Sequence, residues 1–396
     1  MTGEHFIITG LQPWDISIGS NAKDMAFEIA RKNKVLYVST PLDYKTFFGK
    51  DKSYPNQYRR SVVKKQKEYL RRISQNLWVL DFPFCVLPIN YLPDGPIFDY
   101  FNRWNNKRMY SFIQKIIKQL EFKDYIHFID NDIYRSFYSK EYLQARCTVY
   151  YKRDNLTSIF WRRHAPRLEP IIASKANLVV TNSIQLAKTL EPYNAICKDI
   201  GQGVELTNFI FQKKYPVPED IKTIHHPIIG YIGYLTSLRL DIPLIEQLAK
   251  TNSDCSIVLI GPEDDIFRKS QLHQIQNIHF LPSKEINDVP SYISVFDICM
   301  NPQAVNPITI GNYPRKIDEY LALGKPVVAT ATAAMELFEN YVYNCTNLKE
   351  YNHAIKMALQ ENDIKRQKQR ADFAHSHTWE NCVEKLYQNI SSALQL

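Results

Sequence analysis

The stretch that decides the fold is residues 306–330, NPITIGNYPRKIDEYLALGKPVVAT. Within it, residues 316–322 are predicted to form a helix, and residues 327–329 a short β-branched strand. The same alternation of strand, small-residue turn and helix continues on both sides of this stretch. Such alternation is typical of a parallel sheet covered by helices, so we predict a doubly wound, Rossmann-like domain here.

The rest of the C-terminal half follows the same plan. A proline-marked, charged stretch at 213–226 has the composition of an inter-domain linker. We assign 227–372 to one domain, and 373–396 to a C-terminal helix that crosses back to the N-terminal domain. The predicted strands are 227–233, 256–260, 278–281 and 298–300, and the predicted helices are 242–250 and 289–294.

The N-terminal half begins with a second block of the same kind. Residues 5–10 form a predicted strand, followed by a loop containing Gly19 and a helix at 21–32. Because 396 residues exceed the usual size of one hydrophobic core, we predict two α/β domains that face each other across a cleft, the first at 1–212. Its further predicted strands are 35–38, 77–80, 125–129, 148–151 and 178–180.

Composition excludes several classes of protein. The chain is 45% hydrophobic and 23% charged, as expected of a globular protein. Its start does not resemble a signal peptide, and no apolar stretch approaches the roughly 18 residues of a spanning helix. Its seven cysteines are scattered singly, without metal-ligand spacing. We therefore expect a cytoplasmic protein with reduced thiols, no metal and no cofactor.

The deciding stretch also carries a candidate binding site. Gly311 would let the backbone approach a phosphate closely, and Arg315 and Lys316 add positive charge where a helix begins. One turn further on, Glu319 is placed to accept hydrogen bonds from a ribose diol. These groups together suit a nucleoside diphosphate, although a basic helix start of this kind also occurs in ordinary amphipathic helices.

Residues 314–330, PRKIDEYLALGKPVVAT, resemble the signature of GT-B glycosyltransferases, especially retaining enzymes of family 4. Stretches around Gly233, Gly261 and 277–281 follow in that family's order, as do two earlier ones at 176–183 and 201–205. The resemblance implies a hexosyltransferase that moves a sugar, with retention, from a UDP- or GDP-linked donor. The acceptor would be a saccharide or a lipid-linked molecule in the synthesis of cell-envelope polysaccharide or glycoconjugates.

The resemblance also implies roles for particular residues. Glu319 matches the glutamate that holds the donor ribose, and Arg239, after the turn at Gly233, matches a basic residue on the diphosphate. Thr309 and Gly311 belong to the loop over the diphosphate, and Gly19 faces it from the N-terminal domain. The residues predicted to act in catalysis are Arg239, Lys316 and Asp130, and those predicted to bind the donor nucleotide are Gly233, Arg239, Thr309, Gly311, Arg315, Lys316 and Glu319.

Two departures from the family pattern leave other functions open. Gly311 stands where the first of two paired glutamates is expected, and Tyr234 stands where many relatives have an arginine. A sugar-nucleotide-binding protein without activity, or a sugar-nucleotide epimerase of the same fold, therefore remains an alternative. Asp264 and Asp265 do not form a metal-binding DxD motif and are interpreted as part of a solvated loop.

Polar residues at the ends of N-terminal strands complete the candidate site. Asp130 and Asn131 follow one predicted strand, and Arg153 and Asp154 follow the next, so they are expected at the cleft. Arg153 and Asp154 also suit a turn cap. His127, inside its strand, is interpreted as a core histidine, with a place near the donor sugar as the alternative.

Two basic clusters suggest contact with phosphates. Residues 58–72 carry seven Lys or Arg, and Arg162, Arg163 and Arg167 form the second cluster. Such clusters suit an anionic membrane or a charged substrate, and they also occur on solvated helix faces. They leave open a peripheral position on the inner face of the membrane. Without a recognised binding motif, nucleic acid is not expected as a partner.

Overall fold

The computed structural model describes residues 1–16, 19–306, 309 and 313–395. The chain divides into two compact units. The first unit comprises Met1–Gly201 with Trp379–Leu396, and the second unit comprises Gln202–Thr378.

The first unit is built on an eight-stranded sheet in the order β3-β4-β2-β1-β5-β6-β7-β8. All neighbouring strands run parallel except β3, which pairs antiparallel with β4. The strands are β1 His5–Thr9, β2 Lys34–Val38, β3 Leu70–Ser74, β4 Leu77–Leu80, β5 Ile126–Asp130, β6 Cys147–Lys152, β7 Leu178–Thr181 and β8 Cys197–Asp199. The helices are α1 Asn21–Ala30, α2 Tyr44–Phe48, α3 Tyr54–Val63, α4 Pro96–Gln119, α5 Ser139–Leu143, α6 Ala165–Lys175 and α7 Ile184–Leu190, with α14 Trp379–Leu394.

Helices cover both faces of this sheet. On one face α1 and α14 pack around Phe6, Phe128 and Leu386. On the other face, α4 and α6 cover two further apolar clusters. Since both faces are buried, the central strands are apolar along nearly their whole length, which is the pattern expected of parallel sheets.

The second unit contains a six-stranded, entirely parallel sheet in the order β11-β10-β9-β12-β13-β14. Two apolar clusters cover its faces. The strands are β9 Ile228–Ile232, β10 Ser256–Ile260, β11 Ile278–Leu281, β12 Ile298–Asn301, β13 Val327–Thr330 and β14 Tyr343–Cys345. The helices are α8 Ile242–Thr251, α9 Asp265–Arg268, α10 Val289–Val295, α11 Arg315–Ala322, α12 Leu348–Gln360 and α13 Ile364–His375.

The prediction of two doubly wound α/β domains is confirmed. Helix α4, 24 residues long, was not predicted from the sequence. Its buried face includes Asn102, Asn105 and Asn106. Asn105 bonds to the backbone of Leu87, and Asn106 donates to the Tyr134 carbonyl and to Asn102. Polar residues on a buried face interrupt the apolar periodicity by which such a helix is found.

The edges of the two units differ from the predicted boundaries. Residues 202–226, which include the predicted linker, belong to the second unit because Val204, Phe209 and Ile221 lie in its core. At the other end, the predicted crossing helix is two helices, since α13 ends at His375 and α14 begins at Trp379. Only α14 is grouped with the first unit. None of the helices in the described ranges has the length and apolar composition needed to cross a membrane.

Candidate functional site

Two glycines shape the edge of the second sheet where β9 and β10 end. Gly233 has φ +148° and Gly261 has φ +142°, which side-chain-bearing residues rarely adopt. A Cβ atom on Gly261 would lie 1.9 Å from the carbonyl oxygen of Gly233. The close approach of the two turns therefore requires glycine at position 261, and the positive φ favours glycine at both positions.

The loop after Gly233 is fastened by Asp264. Its carboxylate accepts hydrogen bonds from the Thr236 hydroxyl (2.9 Å) and from the Ser237 amide (2.8 Å) and hydroxyl (3.0 Å). It also caps α9 by accepting from the Phe267 amide at 2.7 Å. Desolvation acts to raise the pKa of Asp264, but these hydrogen bonds outweigh it and hold the pKa at about 2. Asp264 is thus a structural anchor, a role that its interpretation as part of a solvated loop did not include.

A second loop, which follows β12, lies beside the first. The Ala304 amide donates to the Arg239 carbonyl at 2.9 Å, and the Asn306 side chain donates to the Leu238 carbonyl at 2.9 Å. The buried Thr309 hydroxyl donates to the Ala304 carbonyl. Arg239 is exposed, and within the described ranges its guanidinium has no hydrogen-bond or ion-pair partner. The loops therefore present a cation that no described residue neutralises.

Helix α11 begins at the same edge of the sheet. Its buried side carries Ile317, Tyr320 and Leu321, so that Arg315, Lys316 and Glu319 share the less buried side. Lys316 Nζ donates to the Tyr231 hydroxyl at 2.6 Å. A Cβ on Gly233 would stand 2.9 Å from that Nζ, so this glycine leaves room for the lysine.

Glu319 is the carboxylate of this site. Burial raises its pKa, and the nearby Lys316 and Arg315 act in the opposite direction. Among the described residues its carboxylate accepts no hydrogen bond. A half-buried carboxylate without a donor is unfavourable in isolation, so this position suits a ligand that supplies hydroxyl groups.

The start of α11 is held by a buried cluster. Asp318 is fully buried, accepts from the Tyr313 hydroxyl at 2.8 Å and lies 2.7 Å from His377 Nδ1. Burial raises the pKa of Asp318, while the contacts with His377 and Tyr313 lower it. This cluster fixes the direction of the helix and so the positions of Lys316 and Glu319.

The structure brings the predicted donor-site residues to one edge of the second sheet, apart from Gly311, which lies outside the described residues. Sequence reasoning missed Tyr231, the partner of Lys316, and Asp264. Tyr231 lies inside an apolar strand, where a tyrosine is indistinguishable from an ordinary core residue. The position of Asp264 just before a short helix was the available signal for a cap.

The predicted residues of the first unit also form a cluster, where β5 and β6 end. Asp130 is fully buried and accepts from Arg153 Nε at 2.7 Å and from the Leu11 amide at 3.0 Å. Arg153 is paired with Asp154 as well, and the Asn131 side chain donates to the Asp154 carbonyl at 3.3 Å. The four residues therefore satisfy one another.

Asp130 was predicted to act in catalysis, and its geometry corrects that prediction. With no exposed surface and both oxygens engaged by Arg153 and Leu11, it is a residue that positions Arg153. Gly19 is exposed in the loop before α1. His127 is fully buried, lies 2.7 Å from the Thr9 hydroxyl and has a pKa lowered to about 3 by burial, so it is a core histidine.

Many basic side chains of the two clusters make hydrogen bonds or ion pairs inside the first unit. Residues 58–72 do not form one helix face, because α3 ends at Val63 and β3 begins at Leu70. Arg59 and Arg60 donate to backbone carbonyls, and Arg71 bridges Asp15 and Asp81. In the second cluster, Arg163 donates to the Tyr91 and Leu92 carbonyls and Arg167 pairs with Asp94 and Asp99, while Arg162 is exposed.

The chain contains two Rossmann-like units, and the second carries a basic helix start and the carboxylate of Glu319. This arrangement defines a protein of the GT-B fold. Residues 226–361 match the family model of glycosyl transferases group 1. The matched residues lie within the second unit, which is therefore similar to the group 1 glycosyltransferases.

Similar proteins agree with this assignment. A Bacillus subtilis (strain 168) protein named teichuronic acid biosynthesis glycosyltransferase TuaH is 26% identical over 249 residues, which span 58% of this chain and 60% of that protein. Among solved structures, sucrose-phosphate synthase from Thermosynechococcus elongatus has a TM-score of 0.63 at 14% identity, over 98% of this chain and all of that one. Anabaena HepE in complex with UDP has a TM-score of 0.61 at 15% identity, over 98% and 100% of the two chains. At these identities, the structures show that the fold is shared.

Proposed function

We propose that the chain is a sugar-nucleotide-dependent glycosyltransferase whose donor site is formed by Glu319, Lys316, Arg315 and Arg239. The observation that carries the proposal is the half-buried carboxylate of Glu319, which has no donor among the described residues and lies one turn along α11 from Lys316. A ribose diol would give Glu319 its hydrogen bonds, and the diphosphate would neutralise the cations.

The comparisons support a uridine nucleotide as the donor. HepE has been solved with UDP and with UDP-glucose, and an Escherichia coli trehalose-6-phosphate protein with UDP-2-fluoroglucose has a TM-score of 0.66 at 11% identity, over 99% of both chains. For the acceptor, the TuaH relative supports a saccharide or lipid-linked chain in cell-envelope polysaccharide synthesis.

Transfer with retention fits a site that stabilises charge and needs no nucleophile of its own. The bond between the sugar C1 and the diphosphate oxygen breaks, and a bond from C1 to the acceptor hydroxyl oxygen forms on the same face. The hydroxyl proton passes to the departing diphosphate. Arg239, Arg315 and Lys316 would stabilise the charge that develops on that leaving group.

Calorimetry with UDP-, GDP- and ADP-glucose, followed by a transfer and hydrolysis assay, tests the proposal. We expect micromolar to millimolar binding of one nucleotide class and slow donor hydrolysis without acceptor. Binding without any turnover would favour the non-catalytic alternative, and a change of configuration in the free sugar nucleotide would favour the epimerase. The anomeric proton coupling of the product, measured by NMR, tests retention.

A second proposal is a peripheral contact between the first unit and an anionic membrane. Helix α4 leaves Ile97, Tyr100 and Trp104 exposed on one side, at 59%, 68% and 43% of their surfaces, and Lys107 follows one turn later. Exposed aromatic residues beside lysine suit the lipid interface. Vesicles containing phosphatidylglycerol should co-float with the chain at low salt, and less so with the variant Tyr100→Ser/Trp104→Ser. Equal flotation of the two proteins would contradict this contact.

A further inference from the structure

A cavity of about 550 Å³ opens in the first unit between α6 and α7, beside the end of β6. This volume lies within the range of pockets that bind small molecules. Its wall continues from Lys152, next to the Arg153 cluster, to Tyr193 after α7. The residues that line the cavity are not part of the donor site. They also take no part in the contacts described above for the two basic clusters, so their role remains to be explained.

A buried ion pair forms one wall of the cavity. Lys152 Nζ donates to Glu169 Oε2 at 2.8 Å, with only 4% and 12% of the two side chains exposed. The Tyr150 hydroxyl donates to the other carboxylate oxygen at 3.0 Å. Such a pair is expensive to desolvate. Where it reaches the cavity, it offers a donor and an acceptor side by side, the pattern that adjacent sugar hydroxyls match.

Helix α6 lacks one of its usual backbone hydrogen bonds beside the cavity. Pro170 lies inside the helix and has no N–H, so the carbonyl of Pro166 four residues earlier receives no helical hydrogen bond from it. Both prolines line the cavity. A ligand hydroxyl can supply the missing donor.

The rim of the cavity carries groups with no side-chain partner in the described ranges. They are the exposed guanidinium of Arg162, the amide of Asn155 and the ring of Tyr193, which is 47% exposed. Since Lys152 and Glu169 neutralise each other, Arg162 leaves the lining with one net positive charge. An aromatic face, paired polar groups and one spare cation together suit a sugar ring that bears an acidic group.

We propose that this cavity binds one pyranose unit carrying a carboxylate or a phosphate, as part of the acceptor saccharide. The acidic group would pair with Arg162, the ring would lie against Tyr193, and hydroxyls would bond with Lys152, Glu169 and the Pro166 carbonyl. The identification of this saccharide as the acceptor rests on the proposed function. Binding of a saccharide to the cavity can be measured independently of that function.

Saturation-transfer NMR and calorimetry with the full chain test the proposal. The probes are methyl glucuronide, methyl glucoside and glucose 6-phosphate. We expect an acidic probe to bind at least about tenfold more tightly than methyl glucoside, because a charge-assisted hydrogen bond to Arg162 is lost in the neutral sugar. Preference for the uronide or for the phosphate identifies the acidic group. Equal binding of all three, or of none, would overturn the proposal.

Variants locate the binding. Arg162→Ala should remove the preference for the acidic probe, whereas Lys188→Ala, an exposed charge on α7 that does not line the cavity, should keep it. Tyr193→Ala should weaken all probes several-fold, and Tyr193→Phe should restore them. Calorimetry with UDP separates the two proposals: these variants should bind UDP as wild type does. Unchanged saccharide binding in Arg162→Ala and Tyr193→Ala would place the ligand elsewhere.

Discussion

Both sheets end in loops that carry charged residues at corresponding places, but the two sets of charged residues differ in whether they are paired with each other. In the first unit Asp130, Arg153 and Asp154 pair with one another. In the second unit Glu319 and Arg239 have no hydrogen-bond or ion-pair partner within the described residues, and the Lys316 ammonium contacts the hydroxyl and the ring of Tyr231. A mutually satisfied cluster stabilises the fold, whereas unsatisfied charges at the edge of a parallel sheet indicate a place for a ligand.

The largest expected effect concerns the satisfied cluster. Asp130→Ala leaves Arg153 buried with only Asp154 beside it. Removing one partner of a buried ion pair is strongly destabilising, so we expect the free energy of unfolding to fall by about 3 kcal/mol. Urea denaturation measures this change. Asp154→Ala, whose carboxylate is 49% exposed, should have a much smaller effect, and equal effects would mean that burial does not distinguish the two carboxylates.

Removing Glu319 should affect the ligand more than the fold. In Glu319→Ala we expect nucleotide affinity to fall by about 1–3 kcal/mol through loss of the ribose hydrogen bonds. Calorimetry with UDP checks this, and thermal denaturation should show a melting temperature close to that of wild type. The exposed Glu339 provides the matched control, since Glu339→Ala should leave affinity unchanged. Wild-type affinity in a folded Glu319→Ala protein would remove Glu319 from the site.

Asp264 gives the second unit a pH dependence. Its pKa is held at about 2 in the folded state, below its ordinary value of 3.8. Its contribution to stability is therefore complete above about pH 4 and is lost as the pH falls towards 2. The difference in unfolding free energy between wild type and Asp264→Asn should shrink over this range. A difference that stays constant from pH 6 to pH 2.5 would show that the charge is not responsible.

The smallest expected effect is at Tyr231, which orients Lys316. Tyr231→Phe removes the hydroxyl that accepts from Nζ, and we expect a loss of nucleotide affinity of at most about 1 kcal/mol. Lys316→Met should lose more, because it removes the charge itself. If the two variants weaken binding equally, Lys316 acts only through its contact with Tyr231.

The alternation of strands and helices was predictable because each buried strand is a short apolar run and most helices show a clear apolar face. Helix α4 was not, since asparagines on its buried face find their partners in distant backbone. The role of Asp130 was also not predictable. A carboxylate after a strand looks the same in sequence whether it faces a ligand or a buried arginine.

The sequence by itself determined the two parallel sheets and the place of the basic helix start, because apolar periodicity and the order of residues 314–330 are local properties of the chain. Only the tertiary structure decided which charges are already satisfied. Asp130 meets Arg153, and Asp264 meets Thr236 and Ser237, across 23 and across 28 and 27 positions of sequence. Pairings of that kind depend on how strands lie side by side, so the unpaired carboxylate of Glu319 among the described residues and the cavity beside α6 became visible only in three dimensions.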